Sequence, residues 1–372
     1  MSDADAVSRF LRAHRASAVG FTPPRPEALP PEEGDEAVSN YDFNAERDPT
    51  DWEPITPSEA PAQPGESPVR FIDGSHIGQP VLCIRSPAGY PVALYLAQVG
   101  AVALRLEGRT FVREFRVVER VLGFVVDPFP WQEVEEFAAA LENHDNLKLR
   151  VLPARMAANK SPFDYEVMRT QAQNRCQNEM LKLEVLALEA APDLPTLVDG
   201  QLGGRIGEKA AEKRPLLIGV VKSPTPAPLH DRGWHTLLDL RAGQRTPFFK
   251  DLRLSIDEKT GKVKTQDVPL ACWYLRLAGG PQLAPNWGIV RVDVPWIQIE
   301  RFPEGEQRVG FVNRLSRWIV DARCRAESYA RMPVSLEPIV RAEDALKPLF
   351  TPLPVLVNRL YRQAGFFRRN EL

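Results

Sequence analysis

No stretch of the 372 residues approaches the ~18 to 20 consecutive apolar positions that a membrane-spanning helix needs. The opening MSDADAVSRFLRAHRAS also lacks the apolar core and cleavage-site pattern of a secretory signal. Cysteine is scarce. Cys83, Cys176, Cys272 and Cys324 are scattered, with no CxxC pair and no Cys/His cluster, which argues against structural zinc and fits a reduced, cytoplasmic chain. The sequence has no nucleotide signature either. GGRIGEK is not a Walker A loop and no GxGxxG follows an apolar run, so a nucleotide-binding enzyme is the least favoured class and any motor must reside on another chain.

What is present is unevenly distributed. The net charge of −2 averages two different regions: residues 1–66 carry five Arg and no Lys against fourteen Asp and Glu, a net of −9, which leaves residues 67–372 at +7. A mildly basic body is compatible with a polyanionic ligand, although a few surplus arginines on a solvated surface would look the same. Eleven of the 35 prolines fall within residues 21–68 among acids. That composition reads as a disordered, acidic, Pro-rich leader over 1–66, with a short amphipathic helix within 2–18 and aromatics (Phe21, Tyr41, Phe43, Trp52) able to dock on a partner or on the body. Residues 351–372, ending in RLYRQAGFFRRNEL, read as a basic, aromatic tail. Leader and tail are the candidate grips for a partner.

Between them, residues 67–350 read as one α/β domain. VRFIDGS, QPVLCIRS, PVALYLAQVGAVALRLEG and TFVREFRVVERVLGF form a meander of strands, with a first helix over 130–145. A longer helix over 163–191 runs into the strand TLVDG. PLLIGVVKS is a further strand, residues 245–312 are β-rich, and helices fall near 311–330 and 338–348. This succession predicts a mixed central sheet with flanking helices and additional β-rich segments.

Two Asp-Gly steps stand out, in VRFIDGSHIG and in PTLVDGQLGG. Asp-Gly is a common hairpin dipeptide, so either step could be a plain turn. Yet each aspartate, Asp73 and Asp199, closes a buried-type run, and the residues after each glycine do not resume hairpin alternation. A strand's carboxyl end is where open α/β sheets bind ligands. A third acid would complete an oxygen-ligand set for Mg²⁺ or Mn²⁺, with two-metal centres holding their ions about 4 Å apart. The long helix offers Glu179, Glu184 and Glu189. Glu184 borders the apolar stripe of Leu181, Val185 and Leu188, while the other two are rotated away by roughly 140° on a 3.6-residue helix. Glu184 could equally be a boundary residue paired with Lys182 or a nearby Arg. Lys222, ending the next strand, suits a phosphate oxygen as a point charge or is an ordinary surface lysine.

In this order FIDGS, LKLEVLALEAA running into PTLVDGQL, and LIGVVKS resemble the successive motifs of the NurA nuclease family over about residues 69–350. The resemblance implies an RNase H-like core and a homodimer that cleaves DNA with Mn²⁺ or Mg²⁺, as exonuclease or single-strand endonuclease. It also implies a HerA-type hexameric ATPase as partner, in DNA end processing or phage defence. Carried over by position, Asp73, Glu184 and Asp199 are the expected metal ligands and catalytic acids. Glu179 is the fallback for Glu184, and Lys222 is the expected catalytic lysine. The family's C-terminal histidine-bearing segment is replaced by MPVSLEPIVRAEDALK, where Glu343 or Asp344 takes the place of a fourth ligand; His76 is the nearest histidine to Asp73. Arg205, Lys209, Arg241 and Arg245 are candidate phosphate contacts. The alternative is a catalytically impaired DNA-binding or scaffold subunit of a motor ATPase complex, favoured by the missing histidine and disfavoured by three acids kept in register.

Overall fold

The computed structural model describes residues 3–19, 41–57, 65–156, 164–203, 205–222, 224, 227–252, 254–256, 263–265, 268–280, 282–284, 286–303, 305–327 and 329–366. Thirteen strands can be named among them: β1 Ser17–Ala18, β2 Tyr41–Asp42, β3 Arg70–Arg85, β4 Pro91–Glu107, β5 Thr110–Val125, β6 Arg150–Ala154, β7 Thr196–Asp199, β8 Leu217–Val221, β9 Phe249–Asp251, β10 Leu254–Ile256, β11 Val263–Thr265, β12 Leu270–Arg276 and β13 Ile289–Pro295. The helices are α1 Asp3–Ala13, α2 Trp131–Asn143, α3 Tyr165–Glu189, α4 Glu208–Lys213, α5 Asp231–Asp239, α6 Trp296–Ile299, α7 Glu306–Asp321, α8 Glu337–Leu346 and α9 Leu353–Ala364.

Eleven strands form one mixed sheet in the order β2-β9-β12-β13-β8-β7-β3-β4-β5-β6, with β1 pairing β3 off that path; β10 and β11 pair only with each other. The mixed α/β architecture with flanking helices is the one the sequence pattern predicts. Its spine is the antiparallel meander β3-β4-β5, whose alternating Val, Leu and Ala side chains are buried over most of β4. β7 and β8 join it in parallel, and β13 returns antiparallel to β8. Because β7, β8 and β12 are covered on both faces, they read as largely continuous apolar runs, whereas β13 buries an Arg291–Asp293 ion pair among its valines.

Helix α3 covers one face. Asp164 caps its start by accepting from the amides of Glu166 and Val167, and Leu183, Ala187 and Leu188 pack against Ile72 and Val198. Buried Arg70 donates to the Ala187 carbonyl near the helix C-terminus, tying β3 to α3. The opposite face is covered by α7 and α8, where Phe311, Leu315 and Ile339 meet Phe71, Leu197 and Trp273.

Two expectations about the chain ends need correction. Val7, Phe10 and Leu11 of α1 are buried in a core shared with α2 and α9, and Phe10 stacks on Phe137 with ring centroids 4.1 Å apart. Trp52 is fully buried against Phe43 and Phe249, and Glu46 pairs with buried Arg245. Thus the described parts of 1–66 are built into the body, with Tyr41, Phe43 and Trp52 docked on it; Phe21 lies outside the described residues, as do 20–40 and 58–64. Likewise α9, in the segment expected to be a tail, buries Leu356, Val357 and Leu360, while 367–372 lie outside the described residues. Among the described residues no helix is long and apolar enough to cross a membrane.

Candidate acidic site at the carboxyl end of β7

The two Asp-Gly steps meet side by side. β3 and β7 run parallel, with Arg70, Phe71 and Ile72 paired to Thr196, Leu197 and Val198. Asp73 and Asp199 occupy the next position on each strand, in the same register. Strand alternation puts them on the face of Phe71 and Leu197, just beyond the core. Asp199 does end its strand. Asp73 does not: β3 continues through Arg85, because antiparallel pairing with β4 persists after β7 has stopped. Asp73 therefore stands where the neighbour on its β7 side runs out, yet it remains only 5% accessible.

The two glycines meet different needs. Gly74 points toward α3, and a Cβ there would lie 2.5 Å from Oε1 of Glu184. The bare backbone lets the glutamate reach from its helix to the strand, where the Gly74 amide donates to it. Gly200 has φ +98, a left-handed turn in which glycine alone is unstrained, and a Cβ would press on the Arg205 guanidinium at 3.1 Å.

Glu184 is 3% accessible and contacts Arg205 Nη2 at 2.9 Å through Oε2, in a direction too oblique for a hydrogen bond. Arg205 also donates to the Asp199 carbonyl at 2.8 Å. Lys222, one residue past β8, pairs with Asp199 at 2.9 Å. Burial pushes the Asp73 carboxyl well above its usual range, helped by the neighbouring Asp199 charge and opposed by Lys222. Asp73 and Asp199 lie within hydrogen-bonding reach of each other, which adds to the upward push on Asp73. Burial raises Glu184 to about 7, against the pull of Arg205.

The other candidates separate clearly. Glu179 is bound by Arg150 (2.7 Å), Arg175 (2.9 Å) and Lys182 (3.3 Å). Burial opposes its charge, but these cations hold it down at about 2. Glu189 is exposed. Glu343 accepts from the Tyr329 hydroxyl and meets Lys347 at 3.4 Å; these contacts outweigh burial and hold it below the usual carboxylate range, with a smaller pull from Lys222. Asp344 is exposed beside Lys347. His76 lies on β3 rather than in a loop, stacked on Tyr95 and lowered to about 4 by burial. Arg245 is a correction: it is fully buried, bidentate to Glu46 and donating to Asn313, so it cannot contact phosphate. Lys209 and Arg241 are exposed. Arg205, a candidate phosphate contact, is largely enclosed and engaged with Glu184, the arginine pairing that is one of the alternatives for that glutamate.

The donor chemistry suits a hard divalent cation: buried carboxylates with raised affinity for protons are short of positive charge. Among the described residues, however, no three His, Cys, Asp or Glu side chains are gathered tightly enough to enclose an ion as they stand. Glu184 reaches in from the α3 face while the aspartates sit on the other, and Arg205 and Lys222 balance two of the three acids.

No family model matches the chain, and no curated protein does. Among solved structures, the NurA nuclease from Sulfolobus solfataricus is similar over 85% of this chain and 86% of its own, with 11% identity and a TM-score of 0.39.

Proposed function

We propose that the chain is a metal-dependent deoxyribonuclease that hydrolyses phosphodiester bonds. The observation that carries this reading is the side-by-side register of Asp73 and Asp199 on two parallel strands, with Lys222 paired to Asp199 and Glu184 approaching the same stretch of β3 from the facing helix. Asp73, Glu184 and Asp199 would hold Mn²⁺ or Mg²⁺, with Glu343 an outlying fourth candidate whose Tyr329 bond must first yield. The ion would supply Lewis-acid polarisation of the phosphate and an activated water. The protein's own part is positional. Lys222, paired with Asp199, would bind a phosphate oxygen and offset developing negative charge. Arg205 keeps Glu184 aligned and the turn after β7 closed. Gly74 leaves room for the approach.

The motif order noted in the sequence extends the proposal to a NurA-like protein of the cytoplasm that works as a homodimer with a HerA-type hexameric ATPase on DNA ends or invading DNA. The scaffold alternative retains one supporting observation, the absence of a gathered acid trio among the described residues. Labelled single- and double-stranded DNA incubated with Mn²⁺, Mg²⁺ or EDTA, with and without the ATPase, separates the two. Metal-dependent cleavage that Asp73→Asn abolishes supports the nuclease. DNA binding with no cleavage under any of these conditions supports the scaffold.

A further inference from the structure

A groove of about 590 Å³ opens beside the acidic site, and Lys222 belongs to both. Its walls carry Trp234 from α5 and Trp287 from the loop before β13, with Tyr274 and Leu237 beneath and Arg331 at the rim. Trp234 is 39% accessible and Trp287 45%. Two indoles left this open in one groove are unusual, because large aromatics normally bury their surface in a core.

The main chain of Trp287 is tied down at both its carbonyl and its amide. Its main-chain carbonyl accepts from the fully buried Arg276 at 2.6 Å, and its amide donates to Ala284. Its indole lies against Gly279, where an added Cβ would meet Cδ1 at 2.6 Å. A ring fixed on one side and open on the other is a prepared stacking surface. Trp234 is set on α5, whose start is capped by the His230 ring accepting from Gly233. Among the described residues lining the groove, Lys222 and Arg331 are the only charged ones, and none is a carboxylate.

Open aromatic faces beside basic side chains, in a lining that holds no carboxylate of its own, are the chemistry that binds unpaired nucleobases along a phosphate backbone. We propose that this groove is a base-stacking subsite for single-stranded nucleic acid, with bases resting on Trp234 and Trp287 and the chain leading its phosphates past Lys222 to the acids. The assignment rests on the nuclease reading for its direction. The substrate class it names is a frayed or single-stranded segment, since bases still paired in a duplex present no free faces to the indoles.

The test is binding of fluorescein-labelled oligo-dT to the full chain in EDTA, so that cleavage cannot consume the probe. A matching strand of abasic sugar-phosphate units is run beside it. Trp234→Ala and Trp287→Ala should each weaken oligo-dT binding by roughly 5- to 100-fold. Neither should change the already weaker binding of the abasic strand, and Trp→Phe at either position should restore most of the affinity. The same affinity for oligo-dT and the abasic strand, or alanine variants that bind like wild type, would overturn the subsite. So would alanine variants that leave DNA binding unchanged but halve the particle mass, which would make the groove a contact between copies. Base-dependent binding in a protein that never cleaves leaves the subsite standing and removes the nuclease reading. Cleavage indifferent to both tryptophans does the reverse.

Discussion

The carboxylate of Glu184 occupies the space where a side chain at position 74 would stand: a Cβ on Gly74 would fall 2.5 Å from its Oε1 and 2.8 Å from its Cδ. The approach of α3 to β3 at the acidic site therefore depends on a residue that contributes no side-chain atoms to it. Gly74→Ala should push Glu184 aside and lower cleavage about 100-fold, as a misplacement of roughly 1 Å can. Overpacking should cost only about 1–3 kcal/mol, so the variant stays folded. Rates beside a denaturant melt check both; undiminished cleavage would show that Glu184 need not reach the strand.

Removing a site acid should stabilise the metal-free fold. Asp73 has a folded pKa raised by burial and by Asp199. Its protonated form therefore supports folding below the unfolded value near 4, and that support is lost as pH climbs through the raised folded value. Asp73→Asn stays neutral throughout. In EDTA its melting temperature should exceed that of wild type by a margin that widens with pH. A variant less stable than wild type at alkaline pH would contradict the assigned strain.

Glu179 and Glu184, five residues apart on one helix, should respond in opposite ways. Glu179 is held at about 2 by Arg150, Arg175 and Lys182. Its stabilising contribution is present above the unfolded value of 4.5 and fades as pH falls toward about 2. Glu179→Gln should destabilise the neutral-pH fold and leave cleavage unchanged. Glu184 titrates near 7, so its contribution is present below 4.5 and lost as pH rises through about 7. Glu184→Gln should abolish cleavage and, without metal, raise the melting temperature most at alkaline pH. Paired melts and assays across pH distinguish them.

Arg245 and Glu46 bind the N-terminal segment to the sheet. Both side chains are essentially inaccessible, and Glu46 also accepts from the Phe248 amide. Arg245→Ala leaves a buried carboxylate without its counter-ion and should cost about 3–5 kcal/mol. Equilibrium urea unfolding measures this. A loss within experimental error would mean that the segment around Glu46 detaches readily.

The acids are legible in the sequence because each aspartate sits at a break in an apolar run, and Glu184 because helical spacing sets it on the buried edge of α3. The length of β3 is not. Gly74, Ser75 and Gly78 look like a turn in sequence, and only the nonlocal pairing with β4 carries the strand through them to Arg85. Val7, Phe10 and Leu11 show an amphipathic helix, but what covers it, α2 and α9, lies more than a hundred residues away. Arg245 looks like a surface charge because its partner Glu46 falls in a Pro-rich acidic stretch with no local sign of docking. The roles of Gly74 and Arg205 depend on contacts across 110 and 21 residues, which no local pattern encodes.

If Asp73, Asp199 and Glu184 hold a divalent cation, as proposed, calorimetric titration with Mn²⁺ shows it without relying on turnover. Binding should be saturable, lost in Asp73→Asn, and stronger at about pH 8 than at about pH 6, because Glu184 must give up its proton as pH passes about 7. Wild-type protein that takes up no Mn²⁺ at either pH, or an Asp73→Asn variant that binds it equally well, would contradict the account.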